Sequence, residues 1–317
     1  MAHLVESMAY VNETPWHGLG NRLSEKQPLE VWLEQAGMNW EVKETPVLYQ
    51  ADIPGFNFRT NEEAKVLYRS DSLEALSVVS NRYKVVQPRE VLEFYRDLTE
   101  VGGFELETAG VLKGGRKLWA LAKTGQEVFL KGGDQVKGYL LLATACDGTL
   151  ATTAQFTSVR VVCNNTLSMA VNDATGAVKV PHSTTFDPVA VKRELNLGVT
   201  AWDEFITQMK ALSNRKIHRI EAMNYLVNVL GDAELPLSKQ PNEKAITSVF
   251  GLFNGQGKGA TMDSANDTAW GLLNAVTEYV DHHKRARSTD NRLNSAWFGQ
   301  GAAIKENALK EALALVA

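Results

Sequence analysis

Two glycine-centred turns, one following the other, constrain this chain more than any other feature. "FELETAGVLKGGRKLWALAKT" sets two alternating runs around Gly114 and Gly115, a pair that favours a tight turn because glycine accepts positive φ without steric cost. "VKGYLLLATACDGTLATTAQFTSVRVVCNN" repeats the arrangement around Asp147 and Gly148. Alternation of apolar and polar residues sends every second side chain to one face, the pattern of a half-buried strand. Four such strands in consecutive hairpins predict an antiparallel sheet. Ahead of them, "ALSVVSNRYKVVQP" reads as extended segments around Ser80 and Asn81. "PREVLEFYRDLTEVGG" reads as one helix, opened by Pro88 and stopped by Gly102 and Gly103.

After "HSTTFD" the pattern changes. "DPVAVKRELNLGVTAWDEFITQMKAL", "RIEAMNYLVNVLG" and "NEKAITSVFGLF" carry apolar residues three and four apart, as do "TAWGLLNAVTEYVDHHKRAR" and "GAAIKENALKEALALV". That spacing predicts amphipathic helices. The fold expected is therefore α+β: a central antiparallel sheet built from consecutive hairpins with flanking helices, and a helical C-terminal third. Three segments follow from this reading: 1–75 as an N-terminal arm or capping segment, 76–185 as the central hairpin domain and 186–317 as the helical region. The first segment is polar and broken by prolines and glycines, with one helix at "PLEVWLEQAG" between Pro28 and Gly37. The glycine-rich "NGQGKGATMDSAND" reads as a flexible bridge between helices.

Composition excludes several classes. Hydrophobic residues make up 44% and charged residues 22%, the balance of a globular chain rather than a disordered one. No run of about 18 apolar residues offers a membrane span. The opening "MAHLVESMAYVNETPWHG" has no basic region followed by an apolar one, so a secretory leader is not expected and the cytoplasm is. Cys146 and Cys163 have no paired spacing, which argues for reduced thiols rather than a zinc site or disulfides. A formal charge of -4 speaks against wrapping duplex DNA on a broad basic surface, although a local basic groove is compatible with it.

The reactive motifs are sparse. "NGQGKGAT" lacks the Walker spacing, since Gly257 and Lys258 are followed by Gly259 and no strand precedes them. His282 and His283 are adjacent on a helix and point about 100° apart, which suits a helix end better than a shared metal. Cys163 with His182 and Asn164 or Asn165 can be drawn as a nucleophile, base and orienting amide, yet a lone cysteine on the inner face of a sheet is more commonly a core residue. No catalytic residue, metal ligand or cofactor is assigned. What stands out is a set of cations and aromatics interleaved on strands and turns: Arg82, Tyr83, Lys84, Lys113, Arg116, Lys117, Trp119 and Arg160, followed by Asn164, Asn165 and Thr166. Single-stranded nucleic acid is held by cations along the backbone and by aromatic faces on which bases stack. Amides and hydroxyls commonly contact phosphate and sugar. The competing reading places Trp119 in the core and gives the amides to capping or turn formation.

The blocks "PWHGLG", "SNRYKVVQP", "CDGTLATTAQFTSVRVVCNNTL" and "AWFGQGAAIKENAL" together resemble the phage/plasmid-like protein family of mobile elements, whose central region is a domain of unknown function (number 932). The likeness runs along nearly the whole chain. In that family the turn often reads His-Asp-Gly, and Cys146 stands here at its first position. The resemblance implies a phage, prophage or other mobile genetic element as the setting. The order of helix and hairpins is similar to the cores of phage single-strand annealing proteins. Taken together, the expectation is a non-enzymatic, oligomeric DNA-binding protein of the single-strand annealing or recombination type, with single-stranded nucleic acid as partner. Two alternatives remain: an interaction protein acting on a host factor, or an enzyme of unrecognised type using Cys163 or Asp147.

Overall fold

The computed structural model describes residues 5–11, 20–50, 58–100, 103–162, 165–168, 177–195 and 198–317. The architecture is α+β, with a large sheet of consecutive strands and a helical C-terminal part. The strands are β1 (Val5–Val11), β2 (Asn21–Leu23), β3 (Val42–Gln50), β4 (Phe58–Arg69), β5 (Ala75–Ser80), β6 (Glu105–Leu112), β7 (Lys117–Leu130), β8 (Asp134–Ala145), β9 (Thr152–Arg160), β10 (Asn165–Ser168) and β11 (Ala177–Val180). Among the described residues one sheet runs β10-β9-β8-β7-β6-β1-β2, with β11 also paired to β9, and a second runs β3-β4-β5. The two hairpins expected from the glycine turns are present as β6-β7 and β8-β9, and Lys131–Gly133 joins β7 to β8 as a third. The opening segment is more than an arm, because β1 pairs antiparallel to β6 and β2 pairs parallel to β1.

The first turn spans four residues, Lys113 to Arg116, between the paired Leu112 and Lys117. Lys113–Gly115 forms a 3₁₀ turn in which Lys113, Gly114 and Gly115 all take positive φ, at 55°, 68° and 96°. Only glycine adopts that region freely. A Cβ on Gly115 would meet Leu76, Trp40 and Arg69 side-chain atoms at 3.1–3.2 Å, so the backbone favours glycine there and the space around it is tight.

Two compact units divide the chain, and each draws on more than one of the three segments expected. Residues 1–124, 140–155 and 177–196 form the first, and residues 125–139, 156–176 and 197–317 the second. In the first, the helix expected at residues 88–103 is two short ones, α2 (Pro88–Glu93) and α3 (Arg96–Glu100), which follow α1 (Leu29–Gln35). At the break the Tyr95 amide donates to Leu92 O, three residues back, tightening the turn. The Tyr95 phenol lies 2.9 and 3.0 Å from the carbonyls of Ala120 and Leu140. Phe94 and Tyr95 are both fully buried there.

The second unit is built on helices α5 (Gly198–Asn214), α6 (Arg219–Leu230), α7 (Glu243–Gly251), α8 (Ala269–Glu278), α9 (Thr289–Phe298) and α10 (Gln300–Ala314); α4 (Pro188–Leu195) belongs to the first. Trp202, Phe205, Met209 and Leu212 fall three and four apart along α5 and pack into one core with Tyr225, Leu226, Ile246, Val249, Leu273, Val276 and Leu309. Val128, Val136 and Leu167 close that core from the strand side. All ten residues of α8 are buried, which makes it the central helix of the unit, covered around its whole circumference. Among the described residues no helix is long and apolar enough to cross a membrane.

Candidate nucleic-acid interface

In the first unit the turn after β8 gathers residues from distant parts of the sequence. Tyr83 donates its phenol to Ala145 O at 2.7 Å. The Cys146 amide donates to Arg116 O at 2.7 Å, and the Ser77 hydroxyl donates to Cys146 O. His182 stacks on Tyr83 with ring centroids 4.3 Å apart and planes 14° from parallel. Its Nδ1 lies 2.9 Å from Lys84 O and its Nε2 3.0 Å from Leu150 O. The Lys84 amide returns a bond to His182 O at 2.6 Å. Two segments expected to carry cations, 82–84 and 113–116, are thereby fixed against one turn. Arg82, Lys84 and Arg116 are exposed on it, while Lys113 and Tyr83 are half-buried.

The geometry of this cluster disfavours Cys146 as a nucleophile. Burial, with the Asp147 carboxylate beside it, pushes the Cys146 thiol up to about 12, so the thiolate that would act as nucleophile is scarce near neutrality. Burial, then the neighbouring Cys146, likewise raises the Tyr83 phenol above its ordinary range. Both ring nitrogens of His182 face backbone carbonyls, which leaves neither directed at a thiol. Among the described residues no three His, Cys, Asp or Glu side chains are grouped to hold a metal ion. The Cys163 and Asn164 of the arrangement considered above lie outside the described residues.

The strand arginine has a different occupation from the one expected. Arg160 is 3% exposed and Asp134 is wholly buried. The Arg160 Nε donates to both Asp134 oxygens at 2.8 and 2.9 Å, and its Nη2 lies 2.8 Å from Oδ2. The same carboxylate accepts from the Ser264 hydroxyl at 2.6 Å and from the Trp270 indole at 3.0 Å. Arg160 also donates to Gly259 O at 3.0 Å and approaches the Met262 sulfur at 3.7 Å. A guanidinium held this way has no free face for a phosphate, so Arg160 is withdrawn from that role. It ties the 257–268 segment to β8 and β9.

That tie also corrects the expectation of a flexible bridge. Lys258 N donates to the two Glu278 carboxylate oxygens at 3.1 and 3.0 Å. Gly257 N donates to Leu252 O, and Ala265 N to Met262 O. The amide that a phosphate loop would offer its ligand is taken up by the protein's own carboxylate.

Asn165 and Thr166 are similarly committed within the second unit. Asn165 is 3% exposed and donates to Asn274 O at 3.2 Å. The Thr166 amide and hydroxyl donate to Asp281 Oδ2 at 2.8 and 3.1 Å, and Lys305 bridges Thr166 Oγ1 and Asp281 Oδ1 at 2.7 and 2.8 Å. Lys117 and Trp119 are buried in β7, the core position weighed for Trp119 above. A buried ring cannot receive a stacked base, so Trp119 and Lys117 leave the interface with Asn165. Of the residues expected from sequence, Arg82, Tyr83, Lys84, Lys113 and Arg116 are the ones brought together. His182 completes the cluster, yet 98 positions separate it from Lys84, and no local spacing announces that contact.

A family model described as Domain of unknown function (DUF932) matches residues 75–297. Neither a curated protein nor a solved structure matches the chain.

Proposed function

The chain belongs to the family defined by the domain of unknown function DUF932, and from that premise we propose that it is a non-enzymatic protein of a phage or other mobile element that binds single-stranded DNA in the host cytoplasm. The observation that carries the reading is the convergence of 82–84 and 113–116 on the turn after β8, around a stacked Tyr83–His182 pair. Cations at Arg82, Lys84, Lys113 and Arg116 neutralise phosphates, and a base added to the aromatic stack contributes about 1–3 kcal/mol. The mobile-element setting rests on the family resemblance of the sequence blocks. Recombination or annealing is the activity that such a protein would serve, with several subunits summing weak contacts along one strand.

Fluorescence anisotropy of a labelled single-stranded oligonucleotide at several salt concentrations, with a duplex control, tests this. Four phosphate contacts give a slope of log K on log salt of about -3 for a single strand. Arg82→Ala, Lys84→Ala and Arg116→Ala together flatten that slope by about 2 and weaken binding at least tenfold. Binding that ignores salt, or a triple variant that binds as the parent does, refutes the proposal.

A further inference from the structure

The contacts of His182 fix more than its position. Its Nδ1 lies 2.9 Å from Lys84 O and its Nε2 3.0 Å from Leu150 O. A carbonyl oxygen only accepts, so each contact is a hydrogen bond only when the nitrogen facing it carries a proton. Neutral imidazole has one N–H. In either tautomer its other nitrogen would turn a lone pair on a carbonyl oxygen at bonding distance, and the two repel. The imidazolium, with two N–H donors, satisfies both carbonyls. The half-buried ring is also held in place, stacked on Tyr83 with centroids 4.3 Å apart. The Lys84 amide bonded to His182 O makes the link to that segment two-way.

We propose that His182 is a proton-operated clamp. Charged, it ties the carbonyl of Lys84 to that of Leu150 and so holds the 82–84 segment against the turn after β8; neutral, it lets one of the two go. Imidazole is the side chain whose charge ordinarily changes between about pH 5 and 8. Around the ring, burial keeps the Tyr83 phenol and, beyond it on the turn, the Cys146 thiol in their neutral forms across that range. Asp147 on the same turn accepts from the Thr149 amide and hydroxyl. Arg82 and Lys84 flank Tyr83, and Arg116 reaches the turn through its carbonyl. On the segment of His182 itself stand Lys179 and Asp187, whose carboxylate takes the amides of Val189 and Ala190. Carboxylates, lysines and arginines ordinarily keep one charge across this range, which leaves the imidazole as the group that switches. The clamp stands on geometry alone. Its consequence for nucleic acid rests on the function proposed above: protonation adds a positive charge beside Arg82, Lys84 and Arg116 and holds their segments together, so single-stranded DNA binds more tightly as pH falls.

The test compares the full-length parent with His182→Gln, which retains one donor group and has no titrating ring, at about pH 6 and about pH 8.5. In thermal unfolding the parent's advantage over the variant is fully present at the lower pH and shrinks by about 3–6 °C at the higher, the worth of one hydrogen bond from a charged donor. Nitrogen-15 NMR of the parent's histidine rings, assigned by the signal missing from the variant, shows both nitrogens of His182 protonated at the lower pH and one at the higher. In oligonucleotide anisotropy the parent loses about threefold in affinity over the same interval, the effect of one nearby charge, and the variant does not. A parent advantage that is the same at both pH values overturns the clamp, as does a His182 ring with one proton at the lower pH. An affinity loss equal in parent and variant overturns its control of binding. A chain that shows the unfolding and NMR changes but binds no oligonucleotide at either pH refutes the nucleic-acid reading and supports the clamp.

Discussion

Removing the Arg160 side chain tests the reassignment of that residue most directly. In Arg160→Ala, Asp134 keeps the Ser264 and Trp270 donors and loses three contacts of 2.8–2.9 Å. Its carboxylate has no exposure to solvent that could replace them. Breaking a buried pair by deleting one partner costs about 3–5 kcal/mol, mostly as the penalty of the charge left behind. The Gly259 carbonyl also loses its donor, which adds about 1 kcal/mol. For a unit of this size each kcal/mol is about 2–4 °C in Tm. Thermal unfolding should therefore fall by roughly 8–24 °C, the product of the summed loss of about 4–6 kcal/mol and that slope. The double change Arg160→Met with Asp134→Leu removes both charges and should recover part of the loss, since apolar replacement of a buried pair is often neutral but here takes the acceptor from Ser264 and Trp270. The assay is urea unfolding followed by tryptophan fluorescence, backed by calorimetry. A loss below about 1 kcal/mol in Arg160→Ala, the range of an exposed pair, would refute the buried-pair account. In the anisotropy experiment this variant, measured at a temperature where it is folded, should bind DNA with the parent's salt slope.

Three further substitutions separate local propensity from packing. Gly271 lies in α8, where alanine is the better helix former by about 1 kcal/mol, but a Cβ there would sit 1.9 Å from Ala265 O. Gly271→Ala should therefore destabilise by about 1–3 kcal/mol net, and a rise in Tm would show that the 257–268 segment yields. Leu73 is 73% exposed at φ 60°. Leu73→Gly relieves a left-handed strain of about 1–2 kcal/mol against a glycine entropy cost of about 0.5–1, so a small gain in Tm is expected and a loss contradicts it. In a Cys163→Ser background, Cys146 with its thiol at about 12 against an ordinary 9.0 carries about a thousandfold less thiolate at pH 8 than a free thiol. The raised value also means that stability is fully present below pH 9.0 and is lost as pH rises toward about 12. Ellman's reagent should react only after denaturant is added, and fast reaction with the folded chain refutes the burial argument.

The hairpins were legible because their information is local: alternation and a glycine pair need only their own neighbours. The same holds for α5, α6 and α10, whose apolar residues recur at helical spacing. Where tertiary contact decides, the sequence is silent. Nothing in "PREVLEFYRDLTEVGG" tells that Tyr95 must reach two strand carbonyls, and so one helix was expected where there are two. In α9, "TDNRLNSAWF" has too little apolar periodicity to stand out. β1 was unreadable for a related reason, since its partner β6 begins almost a hundred residues later. At the interface, Arg82, Lys84 and Arg116 could be named from type alone, because an exposed cation has only to be near the right turn. His182 could not, since its place depends on Lys84 and Leu150 carbonyls, 98 and 32 positions away.

Arg160 shows why residue type misleads for buried positions in particular. An arginine on an alternating strand reads as a groove cation until its counter-charge is found, and Asp134 lies 26 residues back on the neighbouring strand. Ser264 and Trp270, 130 and 136 residues from Asp134, finish the site. A buried charge is tolerated only with partners, and those partners are long-range by construction, so the sequence holds all four residues without marking them as a set. The same logic governs Lys305, whose place in "IKENAL" looks like an ordinary solvated helix face until Asp281 and Thr166 meet it. Arg160 and Lys305 in the second unit are thus spent on holding loops to strands, whereas Arg82, Lys84 and Arg116 in the first remain at the surface.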